Sequence, residues 1–117
     1  MSAAEVVDVV AVARDIPRPW EPRDLARAND TMIRLVKLDG EFPWHTHEDD
    51  ELFLCWDGAF RIEIEGRAPV ELRAGQLFVV PHGARHRCRA PESANCMTRT
   101  TAWGPGRMWA APTCSRN

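Results

Sequence analysis

Three of the four histidines and one of many carboxylates fall into a tight pattern. A first block runs Gly40-Glu-Phe-Pro-Trp-His45-Thr-His47-Glu-Asp-Asp-Glu51, with Gly58 seven residues further on. A second runs Gly75-Gln-Leu-Phe-Val-Val-Pro81-His-Gly83-Ala-Arg-His86. His45 and His47 are two apart on an extended chain, so both imidazoles leave the same face. Glu51 opens the next strand after a short acidic turn. His86 lies on a distant strand behind the Pro81/Gly83 turn, and a barrel can bring that strand beside the first. Three neutral nitrogens and one carboxylate, converging with coordination positions left open, suit Fe, Mn, Ni, Cu, Co or Zn. His45-Thr-His47 alone would be weak evidence, since alternate histidines on a surface strand are commonly solvated. The second block, in the right order and bracketed by glycines at turn positions, makes the pattern specific.

Other chemically capable residues read more plainly. His82, in the Pro81-His82-Gly83 turn, is expected to be a surface loop residue. Asp49 and Asp50 are expected to be solvated, with the alternative that one receives the free N–H of a ligand histidine. Alternation from Glu51 turns Phe53 and Cys55 inward, and alternation from His86 does the same for Cys88 and Ala90. Cys55 and Cys88 therefore face the cavity, where packing is the favoured role. Cys55, Cys88, Cys96 and Cys114 form no CxxC pair, so neither a zinc ribbon nor a thioredoxin-type motif is supported, and free thiols are expected. Arg34, Lys37 and Arg99 lie on predicted strands, where the wet face is the usual place for a cation. One pointing inward could bind a carboxylate or phosphate.

The elements that must position these residues read as strands and turns. Nine prolines and seven glycines punctuate short β-like runs. Strands are predicted at Met32 to Leu38, Glu51 to Trp56, Phe60 to Ile64, Val70 to Leu72, Leu77 to Val80, His86 to Ala90 and Cys96 to Trp103. Asp57-Gly58 is a strong hairpin signal. Ile16 to Arg23, with three prolines and Trp20, reads as an irregular arm. Ala3 to Arg14 is the one helix candidate, but its β-branched valines make a strand equally plausible, one that could pair with a neighbouring subunit. The organisation expected is an arm or strand over 1–30 within the same domain, a barrel over 31–103, and a tail over 104–117.

A chain of 117 residues with 44% apolar and 27% charged residues fits one globular domain. Net charge is −2 with no basic stripe, which argues against a nucleic-acid partner. No apolar stretch approaches the ~20 residues that span a bilayer. Glu5 and Asp8 precede the short apolar run Val9 to Ala13 where a signal peptide would be basic, so a cytoplasmic location is expected.

Both blocks resemble the two motifs of the cupin superfamily, over Gly40 to Ala90. The start Leu-Asp-Gly-Glu-Phe-Pro-Trp-His is similar to small single-domain bacterial cupins, often labelled sugar-phosphate-isomerase-like. The resemblance implies an all-β double-stranded β-helix, or jelly-roll barrel, with His45, His47, Glu51 and His86 as ligands of one divalent transition metal. Two departures touch no ligand. Four residues rather than five separate Gly40 from His45, and Ala90 stands where the second motif has Asn.

By analogy with cupins of this ligand set, the expectation is a small-molecule enzyme, dioxygenase-like first and isomerase or lyase next, with no residue assigned to catalysis. The chain has no tyrosine, so the Cys–Tyr crosslink of cupin thiol dioxygenases is impossible. The alternative is a non-catalytic metal or small-molecule binding module, since no general base outside the ligand set stands out. Phe42, Trp44, Leu52, Leu54 and Trp56 crowd the first motif, and alternation turns Leu52, Leu54 and Trp56 outward. A monomer rarely leaves such a patch wet, so a homodimer is expected.

Overall fold

The computed structural model describes residues 5–101, with side chains through residue 96. One short helix, α1 (Val9–Asp15), precedes seven strands: β1 (Arg23–Ala28), β2 (Thr31–Glu41), β3 (Glu51–Asp57), β4 (Ala59–Ile64), β5 (Val70–Arg73), β6 (Leu77–Val80) and β7 (His86–Thr101). The strands pair in the order β1-β2-β7-β3-β6, and β4 joins β7 to β5. Every strand pair is antiparallel. This is the all-β barrel that the alternating strands predict.

Helix α1 forms despite its valines. The Asp8 side chain accepts the Ala11 N–H at 3.1 Å and caps the first turn. Pro17 then forces Ile16 into extended backbone (ψ 116°), ending the helix. Val9, Val12 and Ala13 pack against a small cluster of Ile16, Leu25 and Leu35. The alternative of an N-terminal strand pairing with another subunit is therefore not realised over Val9–Asp15. The arm that follows is pinned by Trp20. Its backbone N–H donates to the Lys37 carbonyl at 2.8 Å and its indole N–H to Asp39 at 2.9 Å.

Inside the barrel, Val36, Leu38, Phe53, Cys55, Phe60, Ile62, Ile64, Leu72, Val80 and Cys88 form the main core. On β3 the alternation is strict: Glu51, Phe53 and Cys55 are buried, and Leu52 and Leu54 are half-exposed. Such period-two burial is the sheet's way of dividing a core face from an outer one.

Two strand expectations need correction. Asp57-Gly58 does not close a hairpin, because β3 pairs with β6 and β7 whereas β4 pairs with β5 and β7. The turn instead carries the chain from β3, beside β6 and β7, to β4, beside β5 and β7. Gly58 takes a φ of +86°, and a Cβ there would lie 3.0 Å from the Ala94 Cβ. Likewise His86 to Ala90 and Cys96 onward are not separate strands but one 16-residue strand, β7. Its register against β2 jumps between Gly40↔Ala90 and Leu38↔Ala94. Pro91, which has no N–H to give a ladder, lies in that bulge. The tail from 104 onward, with Cys114, lies outside the described residues.

The outer faces differ in character. Arg87 and Arg89 of β7 lie between Glu63 of β4 and Glu41 of β2, with contacts of 2.6–3.3 Å. On β3 and β6, Leu52 stands opposite Val79 and Leu54 opposite Leu77. Trp56, Leu77 and Val79 are exposed there.

Candidate metal centre

The two blocks meet across an isolated antiparallel bridge between His45 and His86. Each backbone N–H donates to the other's carbonyl at 2.9 Å. A third backbone bond, Gly83 N–H to the His47 carbonyl at 2.9 Å, holds the turn before His86 against the first block. Glu51 enters from the start of β3, on its buried face. All four predicted residues thus arrive together: one ligand atom from each of His45, His47, Glu51 and His86 lies within 4.8 Å of the others. The imidazole centroids are 4.8 Å (His45–His47), 4.5 Å (His45–His86) and 5.4 Å (His47–His86) apart. The rings form the cluster's floor and wall, with Phe53 edge-on to His86 at 6.1 Å and Phe42 edge-on to His45 at 5.2 Å.

Two ring orientations are set by the backbone. His45 Nδ1 donates to the Pro43 carbonyl at 2.8 Å and His86 Nδ1 to the Ala84 carbonyl at 2.9 Å. A carbonyl only accepts, so Nδ1 must carry the proton, leaving the Nε2 lone pair free to coordinate. The N–H groups of His45 and His86 thus go to carbonyls and not to Asp49 or Asp50. Asp50 instead accepts from both the backbone N–H (2.8 Å) and the ring Nδ1 (2.9 Å) of His82. His82 is exposed, as expected of a loop residue, but it has a partner 32 residues away that no local pattern announces.

Burial deepens from His45 and His47, half-buried, to Glu51 and His86, which are fully enclosed. His47 Nε2 lies 2.9 Å and His86 Nε2 3.8 Å from Glu51 Oε1. The 2.9 Å approach is a contact without hydrogen-bond alignment: Glu51 Oε1 and Oε2 and His86 Nε2 are buried with no hydrogen-bond partner among the described residues. Burial lowers the His45 pKa to about 4, helped by the charges of His86 and His47 and opposed by the Pro43 hydrogen bond and by Glu51. Burial alone would raise the Glu51 carboxyl, but the two imidazoles beside it outweigh burial and hold it at about 2. A neutral imidazole and an ionised carboxylate are the coordinating forms of both groups. Buried acceptors that lack partners are costly, and a cation between them is what this donor set fits.

The neighbouring residues fall as follows. Cys55, Cys88 and Cys96 are buried and in no disulfide. Burial pushes Cys88 and Cys96 well above the ordinary thiol range, and Glu51 raises both further. They are packed, protonated groups, outside the four-residue cluster. Arg34 corrects the wet-face expectation, being only 2% exposed. It shares the inner parity of Val36 and Leu38 and lies 2.6 Å from Asp24. Lys37 is half-buried, and the Arg99 side chain is outside the described residues. Trp44 is flanked by Arg85 and Arg87 at 5.2 and 5.0 Å from its ring. Phe42 is buried against Trp20. Both therefore leave the outward patch. A cleft of about 510 Å³ bordered by Glu41, Phe60, Arg61, Leu72, Arg73 and Arg89 contains none of the four clustered residues.

Comparison with known proteins agrees with this architecture. Residues 32–100 match the cupin domain. A cupin-2 domain protein from Shewanella frigidimarina is similar at 33% identity and a TM-score of 0.78, covering 82% of this chain and 94% of its own. The uncharacterized protein YdbB of Bacillus subtilis is 28% identical over 88 residues, 74% of this chain and 78% of that protein. A hydroquinone 1,2-dioxygenase from Sphingomonas sp. TTNP3, solved with 4-hydroxybenzoate bound, shares the fold at 20% identity and a TM-score of 0.73, covering 84% of this chain and 74% of its own. With residues 32–100, more than half of its length, matching the cupin domain, the chain belongs to the cupin family.

Proposed function

We propose that His45, His47, Glu51 and His86 are the ligands of one divalent transition metal, and that this centre makes the protein a small-molecule enzyme of dioxygenase type. The observation that carries the reading is the convergence of three buried acceptors that lack an aligned hydrogen bond, Glu51 Oε1, Glu51 Oε2 and His86 Nε2, beside two further imidazoles. A bound metal would supply a Lewis-acid or oxygen-activating centre, chemistry that isomerase and lyase reactions also use. The chain's own part is preorganisation. Pro43 and Ala84 fix two rings, burial keeps His45 neutral, and Phe53 keeps water from one side of His86. The fold likeness to a hydroquinone dioxygenase supports the reaction class as analogy.

The non-catalytic binding module keeps one specific observation in its favour: none of the four clustered residues borders the 510 Å³ cleft. Metal analysis of protein isolated from its native host, followed by an oxygen-consumption screen over phenolic and other small organic substrates, tests both. Stoichiometric metal with substrate-dependent oxygen uptake is expected. Metal without turnover of any substrate class leaves the binding module.

The apolar outer face of β3 and β6 fits a homodimer interface. Buried cysteines in no disulfide fit a reducing compartment such as the cytoplasm. Among the described residues no helix is long and apolar enough to cross a membrane.

A further inference from the structure

We propose that Asp50 and His82 form a latch that holds the two ligand-bearing segments together and slows the departure of a bound metal ion. The proposal rests on the reading of His45, His47, Glu51 and His86 as ligands. Asp50 is the residue before Glu51, and His82 lies in the turn that leads to His86. One carboxylate oxygen, Asp50 Oδ1, accepts two hydrogen bonds from His82, from the backbone at 2.8 Å and from the ring at 2.9 Å. The adjacent Gly83 N–H donates to the carbonyl of His47. The segments are therefore tied on two sides of the cluster, by the His45–His86 bridge and by this latch.

Removing an ion from between buried ligands requires the segments to separate, and the bridge ties them through two backbone hydrogen bonds. The Asp50–His82 contact can open alone. Its side chains are 61% and 71% exposed, so packing does not impose the pairing and water competes for it. A contact of this kind adds little to the stability of the whole fold. Its effect falls on the local opening of the two turns, which shows in rates of exchange.

The test uses the full-length protein loaded with cobalt(II), whose visible absorption reports both coordination and release. Release into excess chelator is followed for wild type, H82A, H82N and D50A, and the melting temperature of each metal-free form is measured. Asparagine places an N–H donor near the position of the histidine Nδ1, so H82N should restore the ring's bond. H82A, which keeps the backbone bond, should release cobalt about threefold faster, and D50A, which loses both, about tenfold faster. H82N should match wild type, and melting temperatures and cobalt spectra should be unchanged. Wild-type release rates in both H82A and D50A would overturn the latch, as would H82N releasing as fast as H82A. Should D50A fail to fold, the H82A and H82N pair decides. Failure of the wild-type protein to take up cobalt would instead overturn the ligand reading beneath it.

Discussion

His45 and His86 stand directly opposite one another, each accepting the other's backbone N–H at 2.9 Å, with their rings 4.5 Å apart. The same two-bond bridge puts Trp44 on the outer side against Arg85 and Arg87. Ring positions in the cluster are thus set by main-chain geometry. Side-chain changes at the ligands should act on metal binding more than on the fold.

Substituting His45, His47 or His86 by Ala, or Glu51 by Gln, should each weaken metal binding by more than about tenfold, since even groups that only support a ligand cost that much. His82→Ala should leave stoichiometry unchanged. Titration calorimetry and elemental analysis of the purified variants measure both. Equal loss of metal in His82→Ala and His86→Ala would remove His86 from the ligand set.

Acid should destabilise the metal-free protein over a defined range. Unfolded His45 binds a proton near 6.5, but the folded residue resists protonation down to about 4. Between those values the unfolded chain holds more protons, so stability falls as pH drops through the window. Glu51 acts in the same direction lower down, losing its contribution from 4.5 toward about 2. Urea midpoints measured from pH 7 to 4 should decline, and His45→Ala should flatten the upper part of that decline. A wild-type midpoint constant from pH 6.5 to 4 contradicts the burial of His45.

The outer face of β3 and β6 predicts a dimer. Trp56→Glu, alone or with Val79→Glu, should halve the mass seen by light scattering and leave the circular dichroism spectrum intact. A wild-type protein that stays monomeric at high concentration would show that another part of the chain covers Leu52, Leu54, Leu77 and Val79.

Gly58→Ala should cost about 1–3 kcal/mol. The substitution meets both a φ of +86° and an Ala94 side chain 3.0 Å away. Gly66→Ala makes the control, since its φ is also positive but a Cβ there meets nothing within 4 Å. Equal denaturation midpoints for the two variants would mean that the Ala94 contact relaxes freely.

Much of this molecule is legible in its sequence because the decisive signals are local. The period-two alternation of Glu51, Phe53 and Cys55 settles which face is buried, and the spacing of His45 and His47 puts two rings on one side. What escaped depends on partners far along the chain. Asp57-Gly58 reads as a hairpin because a turn signal cannot say which strand the next one will pair with. Arg34 reads as solvent-facing because Asp24, its partner, comes from a strand with little apolar pattern of its own. The same distance hides Asp50 from His82. Ala90 and Cys96 read as belonging to two strands, because the bulge between them is built by the register jump opposite Leu38 and Gly40.

Strand β7 pairs with β2, β3 and β4 and also delivers His86. That gives the centre a birth order. A ribosome makes His45, His47 and Glu51 first and needs 35 further residues to reach His86, a delay of a few seconds at about 5–20 residues per second. During it these three residues have neither the bridge nor the strand that joins β2, β3 and β4. Ions captured then would meet a flexible two-histidine, one-carboxylate chelate. On the ligand reading proposed above, discrimination among metals would rest with the finished barrel.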